Sequence, residues 1–177
     1  QFYIKLAQRI MHLLNTKTLF GQLYETDLRL RPSGNAGLLC CHIDGFEKYQ
    51  TEEAWTWEHQ ALVRARAICG DVGLLKDFTR VRHTILSQVR DSKSLATDVC
   101  KMRLKMREHL LSKNNDKVDL KQCVGGITDI EFMAQYLVLA NAQSADSMTT
   151  YPDNLRIFDT AVKARIIDPS TASKLQK

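Results

Sequence analysis

Apolar side chains fall at Phe2, Leu6, Ile10 and then Leu13 or Leu14, the spacing of one helical face. Residues 15–21 break that rhythm. From 24 to 31 the period drops to two. Tyr24, Thr26, Leu28 and Leu30 alternate with Glu25, Asp27, Arg29 and Arg31, which predicts a strand with one charged face. Pro32, Ser33, Gly34, Asn35 and Gly37 form a dense turn signal. Residues 38–41 then read as the return strand of a β-hairpin.

Beyond residue 43 the pattern is helix after helix. Asp44 with Glu47 reads as a capping pair. Residues 51–66 predict a helix with Trp55 and Trp57 near its start, although 63–68 also alternates. Gly70 and Asp71 mark a stop and restart. Leu74, Leu75, Phe78, Val81, Ile85 and Val89 give the next stripe; Leu95, Val99, Met102, Met106 and Leu110 give another, opened by Asp91 and Ser92. Residues 113–116 read as a polar loop. Gly125 and Gly126 precede 130–140, which is apolar nearly all round and therefore predicts the central buried helix. Residues 142–153 read as loop, 154–167 as a further helix, and Pro169 as the start of a last short one. Amphipathic helices with short connections bury best as an up-and-down bundle. The expected fold is mainly α: a helical bundle over 44–177, preceded in 1–43 by a helix and a small β-hairpin.

Composition narrows the class. The chain has 177 residues, 44% hydrophobic and 25% charged, which fits a soluble globular chain. A chain of this size buries about two-thirds of its unfolded surface. Its apolar runs fall well short of the roughly 20 residues a membrane span requires, and its opening residues lack the pattern of a secretory signal. It opens on Gln1 rather than methionine, which points to a piece of a longer protein. The five cysteines are odd in number and match no zinc or redox spacing. They read as reduced cytoplasmic thiols, several of them buried as small hydrophobes. The net charge of +5 mildly favours anionic partners such as nucleotides without specifying nucleic acid.

The charged strand face carries the most chemical information. Residues two apart on such a face lie about 6–7 Å from each other. Asp27 can then hold a divalent cation while Arg29 or Arg31 meets a phosphate bound to it, since magnesium takes one or two carboxylates plus phosphate oxygens. A solvated edge strand accounts for the same residues. The turn at Ser33 and Gly34 can present backbone N–H groups to phosphate, or can simply close a hairpin. Trp55 and Trp57 are either core anchors or a stacking surface beside Glu58 and His59. Arg64 and Arg66 read as surface arginines. The run Lys101, Arg103, Lys105, Arg107 reads as a solvated face. Thr128 and Glu131 fit a capping box. His12, His42, His59, His83 and His109 have no metal-ligand spacing.

Four stretches, in order and at fitting intervals, resemble one family. They are Leu23-Tyr24-Glu25-Thr26-Asp27-Leu28-Arg29-Leu30-Arg31-Pro32-Ser33-Gly34; Glu52 to Arg66 with Trp55-Thr56-Trp57-Glu58-His59; Gly125-Gly126-Ile127-Thr128-Asp129-Ile130-Glu131-Phe132 with Asp119-Leu120-Lys121 before it; and Asp153-Asn154-Leu155-Arg156-Ile157. Together they resemble the glutamine synthetase adenylyltransferase/deadenylylase family.

That resemblance implies a nucleotidyltransferase related to DNA polymerase beta, whose two homologous halves each join a mixed-sheet catalytic domain to a helical bundle. One half moves AMP from ATP to a tyrosine of glutamine synthetase; the other removes it by phosphorolysis. Residues 1–43 then correspond to the C-terminal part of the catalytic domain and 44–177 to the bundle. Asp27 matches the third catalytic carboxylate, a ligand of Mg2+ or Mn2+. Arg29, Arg31, Ser33 and Gly34 fall where nucleotide contacts are expected. The family's Gly-Ser turn and Asp-x-Asp pair are not in this sequence, so the chain alone is expected to be inactive, since two-metal chemistry needs more than one carboxylate. Ser33 and the Trp55 to His59 stretch resemble the adenylylating half. The resemblance further implies a cytoplasmic protein whose partners are glutamine synthetase and a nitrogen-signalling regulator, with neither nucleic acid nor membrane. The alternatives are the phosphorolytic half and a non-catalytic helical interaction module.

Overall fold

The first apolar stripe folds as helix α1, Phe2–Asn15, in a computed structural model that describes residues 1–22, 24–110 and 119–176. The chain divides into two compact units, Gln1–Ala54 and Trp55–Lys177, where the pattern along the sequence put its own division at 43/44.

In the first unit a two-residue hairpin follows α1. Strand β1, Lys17–Thr18, pairs antiparallel with β2, Gly21–Gln22, with Gly21 at φ +104° in the turn. The longer hairpin expected at 24–31 and 38–41 does not form among the described residues. The reason is local competition for hydrogen bonds. The Tyr24 N–H donates to the Leu14 carbonyl (3.3 Å) and the Thr26 N–H to Asn15 Oδ1 (3.3 Å), which ties this stretch to the end of α1 rather than to a strand. Downstream, the Arg31 N–H donates to Leu28 O and the Gly34 N–H to Arg31 O, coiling the chain into a 3-10 turn at Gly34–Ala36. Helix α2, Ile43–Glu52, closes the unit. His42, not Asp44, caps it: its Nδ1 accepts from the Asp44 N–H. The expected 51–66 helix is thus two elements, because Thr51 and Glu52 end α2.

The second unit holds the core. Helix α3 is Thr56–Arg64, α4 Val72–Leu86, α5 Ser92–Leu110, α6 Ile127–Asn141, α7 Asn154–Lys163 and α8 Pro169–Leu175. Asp71, Asp91, Asp153 and Asp168 accept first-turn N–H groups and so fix four helix starts. Helix α6 packs against α3, α5 and α7, the central place expected of 130–140. Val81, Ile85, Val138, Ile157 and Phe158 are essentially fully buried around it. Leu74 and Val89, the ends of the α4 stripe, are exposed.

Three further expectations change. Thr128 does not cap α6: Gly126 occupies that position, and the Thr128 hydroxyl is buried without a partner. An added Cβ on Gly126 would lie 2.7 Å from the Leu120 carbonyl, so the chain passes too closely there for a side chain. Trp55 is 70% exposed and is no core anchor, while Glu58 reaches back to its N–H (2.9 Å) to start α3. All five cysteines are free and none is buried. The expected helical fold with a small β element is observed. Leu23 of the first stretch and the 113–116 loop lie outside the described residues.

Candidate functional site

Asp27 sits just beyond the segment that Asn15 ties to α1. Asn15 anchors it twice, accepting from the Thr26 N–H and donating from Nδ2 to Thr26 Oγ1. This leaves Glu25, Asp27, Arg29 and Arg31 around one open hollow of about 550 Å3, with Met11, Thr26, Leu28 and Asn35 completing its lining. The alternation in sequence had placed those four charged side chains on one face. They share the hollow although the segment is extended and turned rather than paired in a sheet.

The electrostatics of the hollow centre on one ion pair. The Asp27 carboxylate accepts from Arg29 Nη2 at 2.6 Å, from Nε at 3.0 Å and from the Arg29 backbone N–H at 2.9 Å. These bonds to the Arg29 side chain and N–H lower its pKa to about 2. Both side chains remain open to solvent, Asp27 at 49% and Arg29 at 76% exposure. The Asp27 carboxylate is thus open to solvent while it is paired with Arg29.

Arg31 is placed differently. Its Nη1 donates to Leu28 O (2.7 Å), its Nε to Gly37 O and its Nη2 to Asn35 O, so it holds the loop together. Gly37 belongs to that loop for steric reasons, since a Cβ there would lie 1.9 Å from Pro32 O. Ser33 (φ 58°) and Gly34 (φ 52°) form the left-handed turn and do not line the hollow. The Gly34 N–H is already committed to Arg31 O at 2.8 Å.

Asp27 suits one position in a magnesium site. Among the described residues no three His, Cys, Asp or Glu side chains come together as a metal cluster.

A second charged cluster had been read as solvated surface. Arg103 is 6% exposed; its Nε meets Asp129 Oδ1 at 2.5 Å and its Nη2 donates to Gln122 O. Arg107 Nη2 donates to both Asp129 oxygens, and the Gly125 N–H adds a bond of 2.7 Å. Burial pushes the Asp129 pKa up, but the Gly125 bond and the two arginines outweigh it, and the net shift is downward. Arg103 and Arg107 lie one turn apart and face α6, while Lys101 and Lys105 face water. The four-residue spacing was the available signal; only the position of Asp129 gives it meaning.

Two known families match parts of the chain. Both families matched are nucleotidyltransferase-type. Residues 1–81, which include the whole hollow around Asp27, match the glutamate-ammonia ligase adenylyltransferase family. Residues 100–177 match the GlnD PII-uridylyltransferase family. Each of the two matches covers just under half of the chain. No helix among the described residues is long and apolar enough to cross a membrane.

Proposed function

We propose that the chain is part of the adenylylating half of a glutamine synthetase adenylyltransferase, which moves AMP from ATP to a tyrosine of that enzyme. One observation carries this reading. An exposed carboxylate, Asp27, and the exposed cation Arg29 share an open hollow inside the stretch matched by the adenylyltransferase family. Ser33 and the Trp55 to His59 stretch favour the adenylylating half over the phosphorolytic one.

The chemistry assigned to each residue follows from its surroundings. Magnesium or manganese, when bound, neutralises charge on the triphosphate and the leaving pyrophosphate. Asp27 holds one side of that cation. Arg29, released from Asp27, turns to a phosphate oxygen. Arg31 keeps the loop in shape, with a phosphate contact only if its carbonyl bonds exchange. Ser33 and Gly34 provide the turn that sets the loop's direction. Residues 1–43 belong in this reading to the nucleotidyltransferase domain and 44–177 to a helical bundle that helps hold the protein substrate. The partners are glutamine synthetase and a nitrogen-signalling regulator, in the cytoplasm.

The test uses the complete enzyme. Asp27→Asn is expected to lower magnesium-dependent AMP transfer more than about 100-fold, several kcal/mol of transition-state stabilisation, with an unchanged circular dichroism spectrum. Unchanged turnover defeats the role of Asp27. Loss of AMP removal with attachment intact assigns the site to the opposite half. The 177-residue chain alone is expected to transfer no AMP, because Asp27 is the one carboxylate in it that matches the family's catalytic set and cannot by itself position two cations.

A further inference from the structure

Helices α5 and α6 pack together yet leave a groove of about 650 Å3 open along one side. On α5 its wall is Ala96, Val99, Cys100 and Leu104, spaced three and four residues apart. On α6 it is Phe132, Met133 and Tyr136, with the same spacing. The stripe on α5, from Ala96 to Arg107, runs about 16 Å at 1.5 Å per residue. Its apolar part, Ala96 to Leu104, spans about 12 Å and the stripe on α6, Phe132 to Tyr136, about 6 Å, so the two side by side seat one to two turns of a third helix.

The lips of this groove are unsatisfied in water: Leu104 is 54% and Met133 40% exposed. One end is charged. There Arg103 and Arg107 share the single carboxylate of Asp129. Arg107 Nε is buried with no hydrogen-bond partner among the described residues. Among the described residues, two guanidinium groups thus meet one carboxylate at that end, beside an apolar wall. The exposed apolar face of α1 on a second copy would fit the wall but not the charge, since α1 carries Lys5, Arg9 and His12 and no acid.

We propose that this groove receives an acidic amphipathic helix from another polypeptide. Its apolar stripe lies on Leu104, Phe132 and Met133, and a carboxylate at one end faces Arg107. The charge selects the partner and sets its direction; the apolar wall supplies most of the affinity.

Cys100 lines the groove and is exposed, so it reports occupancy. The experiment uses the full chain with the other four cysteines changed to serine, and follows Cys100 alkylation by iodoacetamide. The probe is a helical peptide with a leucine stripe and glutamates at both ends. Saturating peptide is expected to slow alkylation, and the same stripe with lysines in place of glutamates to bind at least about tenfold more weakly. Arg107→Glu should reverse that preference. Leu104→Glu, at the exposed lip, should remove protection while the circular dichroism spectrum stays unchanged. Equal protection by the two peptides, no protection by either, or binding that survives Leu104→Glu overturns the proposal. So does protection by decanoate without protection by the peptide, which would make the groove a small-molecule site.

Discussion

Asp27 and Arg29 illustrate how a local pair can be poised without being fixed. Among the described residues the carboxylate is held by Arg29 alone, two positions away, and both side chains face water. Its folded pKa of about 2 lies below the ordinary 3.8, so the sign of the effect is set. The pair contributes its stabilisation in full above 3.8 and loses it as the pH falls through about 2. A carboxyl-detected NMR titration should place the Asp27 midpoint near 2, and in Arg29→Gln the midpoint should rise towards 3.8. An unmoved midpoint would show that Arg29 does not hold the carboxylate. Asp129 works differently, because Arg103 is buried and Arg107 half-buried. Asp129→Asn strands Arg103 and should destabilise the fold by about 3 kcal/mol in urea unfolding; a change within a few tenths would remove the cluster's structural role. The sequence made Asp27 legible because its alternating neighbours are charged. It hid Asp129, whose significance depends on arginines more than twenty residues away.

Among the helices, boundaries follow from local chemistry where a single side chain can set them. Asp71, Asp91, Asp153 and Asp168 each accept N–H groups of the turn that follows, so four starts were visible in the order of residues. The end of α3 is another matter. Arg82 on α4 is buried and donates to Leu62 O, to Val63 O at 2.6 Å and to Thr149 O, satisfying carbonyls that α3 leaves open. Burial alone pushes its pKa down, the mark of a cation taken out of water. Arg82→Met is expected to cost roughly 3 kcal/mol, since a charged donor to several carbonyls is lost. Thermal melts of the variant check this, and an unchanged midpoint would mean water replaces the guanidinium. A lysine there should rescue poorly, because one ammonium cannot span the same fork of acceptors. Helix α5 carries the related lesson. Lys101, Arg103, Lys105 and Arg107 look alike in sequence, yet a 3.6-residue turn sends two inward and two outward.

For the chain as a whole, burial is distributed unevenly. Every apolar residue of the core lies between Leu62 and Ala172, whereas Gln50 is the one buried side chain among the described residues of 1–54. The second unit should therefore fold by itself. Residues 55–177, produced alone, are expected to melt cooperatively, and 1–54 to show no cooperative transition by circular dichroism. Phe158→Ala, at full burial, should cost the second unit about 3–5 kcal/mol. A non-cooperative melt of 55–177 would overturn this division.

The order of residues alone determined the helical character, most helix starts and the central place of 130–140, because periodicity and end caps act within a few residues. It also determined that Glu25, Asp27, Arg29 and Arg31 fall on a common side. Tertiary structure decided what that side belongs to. Asn15 and the end of α1 took the backbone bonds that a strand partner would have used, and the loop at Arg31 closed on its own carbonyls. It also decided which arginines of α5 are buried and where a groove stays open beside them. Those outcomes depend on groups distant in sequence competing for the same donors, acceptors and apolar surface, and no local pattern encodes the result.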